Sequence, residues 1–234
     1  MYRVKICGIT SPEDALVAAG AGADAIGINF YARSPRYVEP ERAREIVGAL
    51  REGHPAEQVA VFGVFVNSSL EVIQQTLAQA AQSGGKSAIG IQLHGDETAE
   101  QLREIAGGKV QATVVRAFRV NAHDLHREAA YLARCASLGC PPQAVLLDAL
   151  VQGSYGGTGK AVDWAALAPL QGFLGGVPLI LAGGLTPLNI SEAISAARPW
   201  GVDVASGVES SPGKKDPAKV YAFVAAAKKA LAAD

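Results

Sequence analysis

Two side chains at the ends of short apolar segments suit proton transfer. Cys7 closes the segment that begins at Tyr2 and is followed by Gly8, whereas Asp148 follows four apolar residues from Ala144. A carboxyl group can donate a proton while a thiolate removes one. Each residue also has a structural alternative, because an isolated cysteine often serves as a buried, inert thiol and an aspartate before a loop often stabilises a turn.

Alternation along the first segment places Cys7 and Lys5 on the same face. Val4 and Ile6 occupy the other positions, so we expect them to face packed helices while Lys5 and Cys7 point into the sheet's interior. A buried ammonium needs a carboxylate partner. Asp203, between Val202 and Val204 in the last apolar segment, is the predicted partner.

Several residues could hold an anion. Arg36 lies with Arg33 and Tyr37 on a loop that contains Pro35, and its guanidinium could bind a carboxylate through two parallel hydrogen bonds, although a solvated basic loop is the alternative. Small residues in three late loops could bring backbone N–H groups close to a phosphate. The candidates in those loops are Gly157, Gly159, Gly183, Gly184, Ser206 and Gly207.

His94 ends another apolar segment and precedes Gly95, Asp96 and Glu97. An imidazole beside two carboxylates could bind a metal ion. Acidic residues are also favoured at a helix N-terminus, and we interpret Asp96 and Glu97 in that way. We therefore predict no metal site and expect His94 to line the pocket.

The composition of the chain argues against several classes of protein. The chain has 234 residues, 49% hydrophobic and 18% charged, with 21 basic and 22 acidic residues and a formal net charge of −1. No global field therefore favours nucleic acid or an anionic membrane surface. Three cysteines without a C-x-x-C pair argue against a disulfide scaffold or zinc site, and neither a signal peptide nor a membrane span is recognisable. We expect a soluble, cytoplasmic protein.

Short β-branched segments alternate with longer amphipathic ones, which predicts a parallel sheet covered by helices. Eight strands predict a single-domain (β/α)8 TIM barrel over residues 1–234. Pro after Ser11, Thr186 or Asp216 predicts three helix starts, and a short helix is expected within Gly153–Leu174. The predicted strands are Tyr2–Ile6, Ala25–Phe30, Ala60–Val66, Ala88–Gln92, Thr113–Arg119, Ala144–Asp148, Pro178–Ala182 and Val202–Ala205.

Eight motifs in order resemble the phosphoribosylanthranilate isomerase family over nearly the whole chain. They include Lys5-Ile6-Cys7-Gly8-Ile9-Thr10, Ser34-Pro35-Arg36-Tyr37-Val38 and Gln92-Leu93-His94-Gly95-Asp96-Glu97. The others are Gly63–Asn67, Leu147-Asp148, Gly156–Lys160, Leu181–Leu185 and Gly201–Glu209.

The resemblance implies an Amadori rearrangement in tryptophan biosynthesis, from N-(5′-phosphoribosyl)anthranilate to 1-(2-carboxyphenylamino)-1-deoxyribulose 5-phosphate. It implies that Asp148 is the general acid, that Cys7 is the general base, that Arg36 holds the anthranilate carboxylate and that the glycine loops hold the phosphate. It also implies no cofactor, a small phosphorylated substrate as the partner and either a homodimer or a monomer. The sequence departs from the family pattern in the longer stretch Ala149–Tyr155 and at Ala205, where a hydroxyl residue is usual.

Two other functions compete with this prediction. A histidine-pathway isomerase resembles two half-barrel repeats with two aspartates, but this chain has Cys7 where one aspartate would be needed. A non-catalytic phosphate-ligand binding protein would keep the glycine loops but has no chemical need for both Cys7 and Asp148.

Overall fold

A computed structural model describes residues 1–53, 59–81, 89–108, 112–120, 125–149, 164 and 174–233. Within them, eight parallel strands pair in sequence order, and β1 also pairs with β8, which closes a barrel. The predicted fold class is therefore confirmed, with strand ends within two residues of the predicted ones. The strands are β1 (Val4–Cys7), β2 (Ala25–Asn29), β3 (Ala60–Phe65), β4 (Gly90–Leu93), β5 (Val114–Val120), β6 (Ala144–Ala149), β7 (Leu179–Ala182) and β8 (Gly201–Val204).

Seven helices lie within the described residues, and none of them is long and apolar enough to cross a membrane. The helix expected within Gly153–Leu174 falls outside the described part of the chain, apart from Trp164 and Leu174. The helices are α1 (Pro12–Gly20), α2 (Pro40–Gly53), α3 (Leu70–Ala80), α4 (Ala99–Ala106), α5 (His126–Ser137), α6 (Ile190–Ala197) and α7 (Pro217–Leu231).

Two of the three predicted helix starts are confirmed. Ser11 caps α1 and Asp216 caps α7, each accepting a backbone N–H at the third helical position and each followed by Pro at the first. The prediction at Thr186 is wrong. Residues after Thr186 form a turn first, in which its carbonyl accepts from the Asn189 N–H, and α6 begins only at Ile190.

The interpretation of Asp96 and Glu97 as the start of a helix is also wrong. Thr98 is the N-cap of α4 and forms a reciprocal capping box with Gln101, so both acids precede the helix. Glu97 is instead buried and forms an ion pair with Arg116, 3.1 Å from its Nη1. Sequence patterning missed this role because Arg116 belongs to the next strand.

Apolar side chains fill two layers around the strands. A large cluster packs between the barrel and its helices and includes Val4, Ile6 and Val204, which confirms the outward direction predicted for Val4 and Ile6. A smaller cluster fills the barrel interior with residues from five strands, such as Phe62 and Leu146, and with Tyr2, which precedes β1. Lys5 lies in register with Asp203 across the β1–β8 seam, so polar groups complete the interior above these apolar side chains.

A two-stranded hairpin, β9 (Glu209–Ser211) and β10 (Lys214–Lys215), follows β8. It is joined to the loop after β1 and to the start of α1. The Thr10 hydroxyl donates to the Gly213 carbonyl at 2.6 Å, and the Lys215 N–H donates to the Asp14 carboxylate at 3.0 Å. The hairpin therefore forms a wall beside the carboxyl end of β1.

Candidate active site

A cavity of about 240 Å³ opens at the carboxyl ends of the strands. In barrels of this architecture, active sites form at that end. Cys7 from β1 and Asp148 from β6 both line it, as do Arg36 from the loop after β2 and His94 from the end of β4. The structure thus brings together four predicted site residues that are far apart in the sequence.

The glycine loops after β7 and β8 form one side of the same cavity. Gly183 and Gly184 have positive φ values of 87° and 63°, a conformation that side-chain-bearing residues rarely adopt. Ser206 and Gly207 complete this side, and a Cβ on Gly207 would overlap the backbone of Leu185. The other two predicted phosphate-binding residues, Gly157 and Gly159, lie outside the described part of the chain.

The surroundings of Cys7 combine burial with positive charge. Gly27 on β2 leaves room there, because a Cβ at that position would lie 2.6 Å from the Cys7 Sγ and 3.0 Å from the Lys5 Nζ. Burial raises the pKa of the Cys7 thiol above its ordinary value, while Lys5 and Lys215 act in the opposite direction. In the free protein Cys7 is therefore mainly a thiol at neutral pH, held next to groups that favour its thiolate.

Lys5 and Asp203 form the predicted buried pair, with 2.7 Å between Nζ and Oδ2. Burial disfavours the Lys5 charge, but the Asp203 carboxylate together with the neighbouring Cys7 and Tyr2 side chains outweighs burial and raises the Lys5 pKa. Lys5 also donates to the Gln92 Oε1 at 2.9 Å. Sequence reasoning did not assign Gln92 a role, although its inward position two residues before His94 on β4 was a usable signal.

Asp148 and His94 lie next to each other at the cavity. The Asp148 side chain is 32% exposed, and its Oδ2 lies 3.5 Å from the His94 Nε2. The other ring nitrogen, Nδ1, is 3.0 Å from the Gln92 Nε2. Within the part of the chain that the structure describes, no cluster of three His, Cys, Asp or Glu side chains is arranged to hold a metal ion.

Arg36 uses one edge of its guanidinium within the protein. Its Nε and Nη2 each donate to a different oxygen of Glu209 at 2.7 Å. Gly8, with φ of 73°, allows this approach because a Cβ there would overlap the Arg36 side chain. The hydrogen bonds to Glu209 raise the Arg36 pKa. Arg33, by contrast, is exposed and does not line the cavity.

The buried side chains of Lys215 and Glu209 form a charge cluster with the partly exposed Arg36. Its Nζ donates to the Glu209 Oε1 at 3.0 Å and to the Ala205 carbonyl at 3.1 Å. Burial opposes the Glu209 charge, but Arg36 and Lys215 outweigh it and lower the Glu209 pKa. For Lys215, burial is the strongest influence and lowers the Lys215 pKa. Among the described residues Glu209 is the single carboxylate that contacts the Lys215 ammonium, and Glu209 is shared with Arg36. Sequence reasoning gave neither Glu209 nor Lys215 a role.

A family model described as N-(5′-phosphoribosyl)anthranilate (PRA) isomerase matches residues 4–226. The chain belongs to the phosphoribosylanthranilate isomerase family. A family member from Trichlorobacter lovleyi is 43% identical and covers 99% of this chain and 100% of its own length. The predicted resemblance is thereby confirmed, and the chain is an isomerase of this family.

Solved structures of the family agree with the fold. The phosphoribosylanthranilate isomerase of Thermotoga maritima superposes with a TM-score of 0.79 at 40% identity, covering 98% of this chain and 100% of that one. A second family structure is a complex with reduced 1-(o-carboxyphenylamino)-1-deoxyribulose 5-phosphate. It has a TM-score of 0.77 at 37% identity, with the same coverage.

Proposed function

We propose that this isomerase converts N-(5′-phosphoribosyl)anthranilate to 1-(2-carboxyphenylamino)-1-deoxyribulose 5-phosphate by an Amadori rearrangement in tryptophan biosynthesis. The observation that carries the proposal is that Cys7 and Asp148 line one cavity with Arg36 and the glycine loops. This set provides a base, an acid and two anion-binding regions, which matches a substrate with one carboxylate and one phosphate at opposite ends. The complex described for a family member contains a ligand with the same two groups.

In the first step, Asp148 donates a proton to the furanose ring oxygen. The bond between this oxygen and C1′ breaks, and the lone pair of the anilino nitrogen forms the C=N bond of a protonated Schiff base. The negative charge that appears during bond cleavage is therefore neutralised by the transferred proton, which is the usual contribution of a general acid.

In the second step, the Cys7 thiolate removes the proton from C2′. The electrons of that C–H bond form a C1′=C2′ double bond, and the C=N electrons return to nitrogen to give an enolamine. Uptake of a proton at C1′ and loss of the proton of the C2′ hydroxyl then give the ketone. Lys5 and Lys215 favour the thiolate, so the fraction of Cys7 that has released its proton to solvent acts as the base, and no bond forms between sulfur and carbon.

The two ends of the substrate take different sites in this proposal. The free edge of Arg36 binds the anthranilate carboxylate while Glu209 holds the opposite edge. Gly183, Gly184, Ser206 and Gly207, together with Gly157 and Gly159, bind the phosphate through backbone N–H groups. No cofactor or macromolecular partner is required. We assign the reaction to the cytoplasm, because a catalytic thiol works only when it is reduced and the cytosol keeps thiols reduced.

The test is turnover of phosphoribosylanthranilate, followed as loss of its fluorescence. We expect the unmodified chain to be active and Cys7→Ser and Asp148→Ala each to lower kcat by roughly 10²–10⁴-fold, the usual contribution of a general base or acid. Cys140→Ala and Asp96→Asn are matched controls, because neither residue lines this cavity. Activity that survives both active-site substitutions would contradict the assigned roles, and tight binding of a reduced product analogue without any turnover would favour a binding protein.

A further inference from the structure

The His94 imidazole joins the buried polar groups of the barrel to Asp148. Its Nδ1 lies 3.0 Å from the Gln92 Nε2, and its Nε2 lies 3.5 Å from the Asp148 Oδ2. A neutral imidazole carries one proton, on either nitrogen, and the neighbours of the ring decide which. The protonated nitrogen determines whether Asp148 faces a donor or an acceptor.

Lys5 fixes the orientation of the Gln92 amide. An ammonium group has three donors and no acceptor, so the Gln92 atom 2.9 Å from the Lys5 Nζ must be the oxygen. Asp203, 2.7 Å from the same nitrogen, keeps Lys5 charged and in place, and burial of Lys5 and Gln92 excludes water as a competing partner. The amide NH2 group of Gln92 therefore faces His94.

Because this NH2 group is a donor, the His94 Nδ1 must be the acceptor. We infer that His94 is held as the tautomer with its proton on Nε2, and that it is a positioning residue for the Asp148 carboxyl group. The inference rests on the proposed function only for the role of Asp148 as the acid. The tautomer itself follows from the contacts of Lys5, Gln92 and His94.

The tautomer assigns different tasks to the two oxygens of Asp148. Its Oδ2 faces the His94 N–H and serves as the acceptor, which leaves Oδ1 to carry the proton for the substrate. At 3.5 Å the contact with His94 is too long for a full hydrogen bond in the free protein. Negative charge that develops on Asp148 as it donates its proton attracts the N–H, so the interaction is strongest in the transition state and lowers the barrier.

The direct test is a long-range ¹H–¹⁵N spectrum of the ¹⁵N-labelled, ligand-free protein. The chain has four histidines, so a His94→Gln spectrum identifies the His94 signals by difference. We expect a protonated Nε2 and an unprotonated Nδ1. In Gln92→Glu, the new carboxylate requires a donor and we expect a proton on Nδ1, whereas Gln92→Leu removes the constraint and should give a mixture of tautomers.

Kinetics provide the second measurement. We expect His94→Leu to lower kcat by roughly 10- to 100-fold, the range typical for outer partners of functional groups, with little change in KM. His94→Gln keeps an N–H donor, so we expect its kcat to stay close to that of the unmodified protein and well above that of His94→Leu. A proton on Nδ1 in the unmodified protein, or equal rates for the Leu and Gln variants, would overturn the inference. If the tautomer is as expected but the unmodified protein turns over no substrate, only the proposed function fails.

Discussion

At the scale of single residues, one edge of the Arg36 guanidinium is bound by Glu209 and the other is free for the proposed substrate. Glu209 accepts from its Nε and Nη2, and the Nη1 has no hydrogen-bond partner among the described residues. A guanidinium is planar and rigid, so anchoring one edge fixes the direction of the other. The Glu209 carboxylate therefore orients the edge of Arg36 that binds the proposed substrate, although Glu209 itself does not contact the substrate.

The corresponding prediction is that Glu209→Gln weakens substrate binding more than it slows chemistry. The amide keeps one acceptor but turns an NH2 donor toward a donor, so the guanidinium loses its fixed direction. We expect KM to rise roughly tenfold, equivalent to about 1.4 kcal/mol, with kcat little changed. Steady-state kinetics measure both constants.

The matched control for this prediction is Glu39→Gln. Glu39 is exposed and accepts from the Tyr37 hydroxyl at 2.9 Å, so its substitution should alter neither constant. An unchanged KM in Glu209→Gln would contradict the proposal that Glu209 orients Arg36 for substrate binding. A fall in kcat alone would place Glu209 in the chemical step instead.

At the scale of elements, the sequence predicts the features that depend on residues close together in the chain, such as strands and helix starts. Short β-branched segments between amphipathic ones indicated all eight strands, and period-two alternation placed Lys5 and Asp203 inside the barrel, because side-chain direction in a strand depends on near neighbours alone. Helix starts at Ser11 and Asp216 were equally local. The start predicted at Thr186 was wrong because a turn closed by Asn189 competes with the helix there.

Contacts between distant loops were not predictable in this way. Glu209 meets Arg36 because the hairpin after β8 folds back against the loop after β2, and no periodicity links positions 173 residues apart. Glu97 was mistaken for a helix-start residue because its partner Arg116 points out of the barrel from β5. The charged clusters thus depend on the closed barrel, which brings the loops together.

The β9–β10 hairpin yields a prediction for stability. The Asp14 carboxylate accepts the Lys215 N–H at 3.0 Å and is buried, so Asp14→Ala leaves a buried donor without its acceptor. We expect the free energy of unfolding to fall by about 1–3 kcal/mol. Urea denaturation followed by circular dichroism measures this change.

The neighbouring residue supplies the control. Glu13 is exposed in the first turn of the same helix, where its carboxylate interacts with Ser11 and with the positive helix N-terminus, so Glu13→Ala should lower the free energy of unfolding by less than Asp14→Ala does. Equal losses in the two variants would show that the hairpin contact contributes nothing to stability. A larger loss for Asp14 that is accompanied by a higher KM would connect the hairpin to Arg36 through Glu209.

At the scale of the whole molecule, the seam that closes the barrel also carries the polar groups of the site. Strand β1 pairs with β2 on one side and β8 on the other, and Lys5 stands opposite Asp203 across the second pairing. From Lys5, polar contacts continue through Gln92 and His94 to Asp148. Closure of the barrel and orientation of the proposed acid therefore depend on the same lysine.

This double role predicts that stability and activity can be separated at the seam. Lys5→Met leaves the Asp203 carboxylate buried without its cation and should cost about 3–5 kcal/mol of unfolding free energy. Adding Asp203→Leu, which has the same branched heavy-atom skeleton as Asp, replaces the pair by apolar groups and should restore most of that loss. Urea unfolding of the two single variants and the double variant gives the coupling energy.

We expect kcat to stay low in the double variant although its free energy of unfolding recovers. In the double variant no ammonium remains to orient the Gln92 amide or to favour the Cys7 thiolate, so the proposed acid and the proposed base both lose support even though the barrel is stable. We expect kcat to stay roughly 10- to 100-fold low in the folded double variant, the range typical when an outer partner of a functional group is lost. If activity returned together with stability, the buried pair would serve only to close the barrel, and Lys5 would have no part in orienting Asp148.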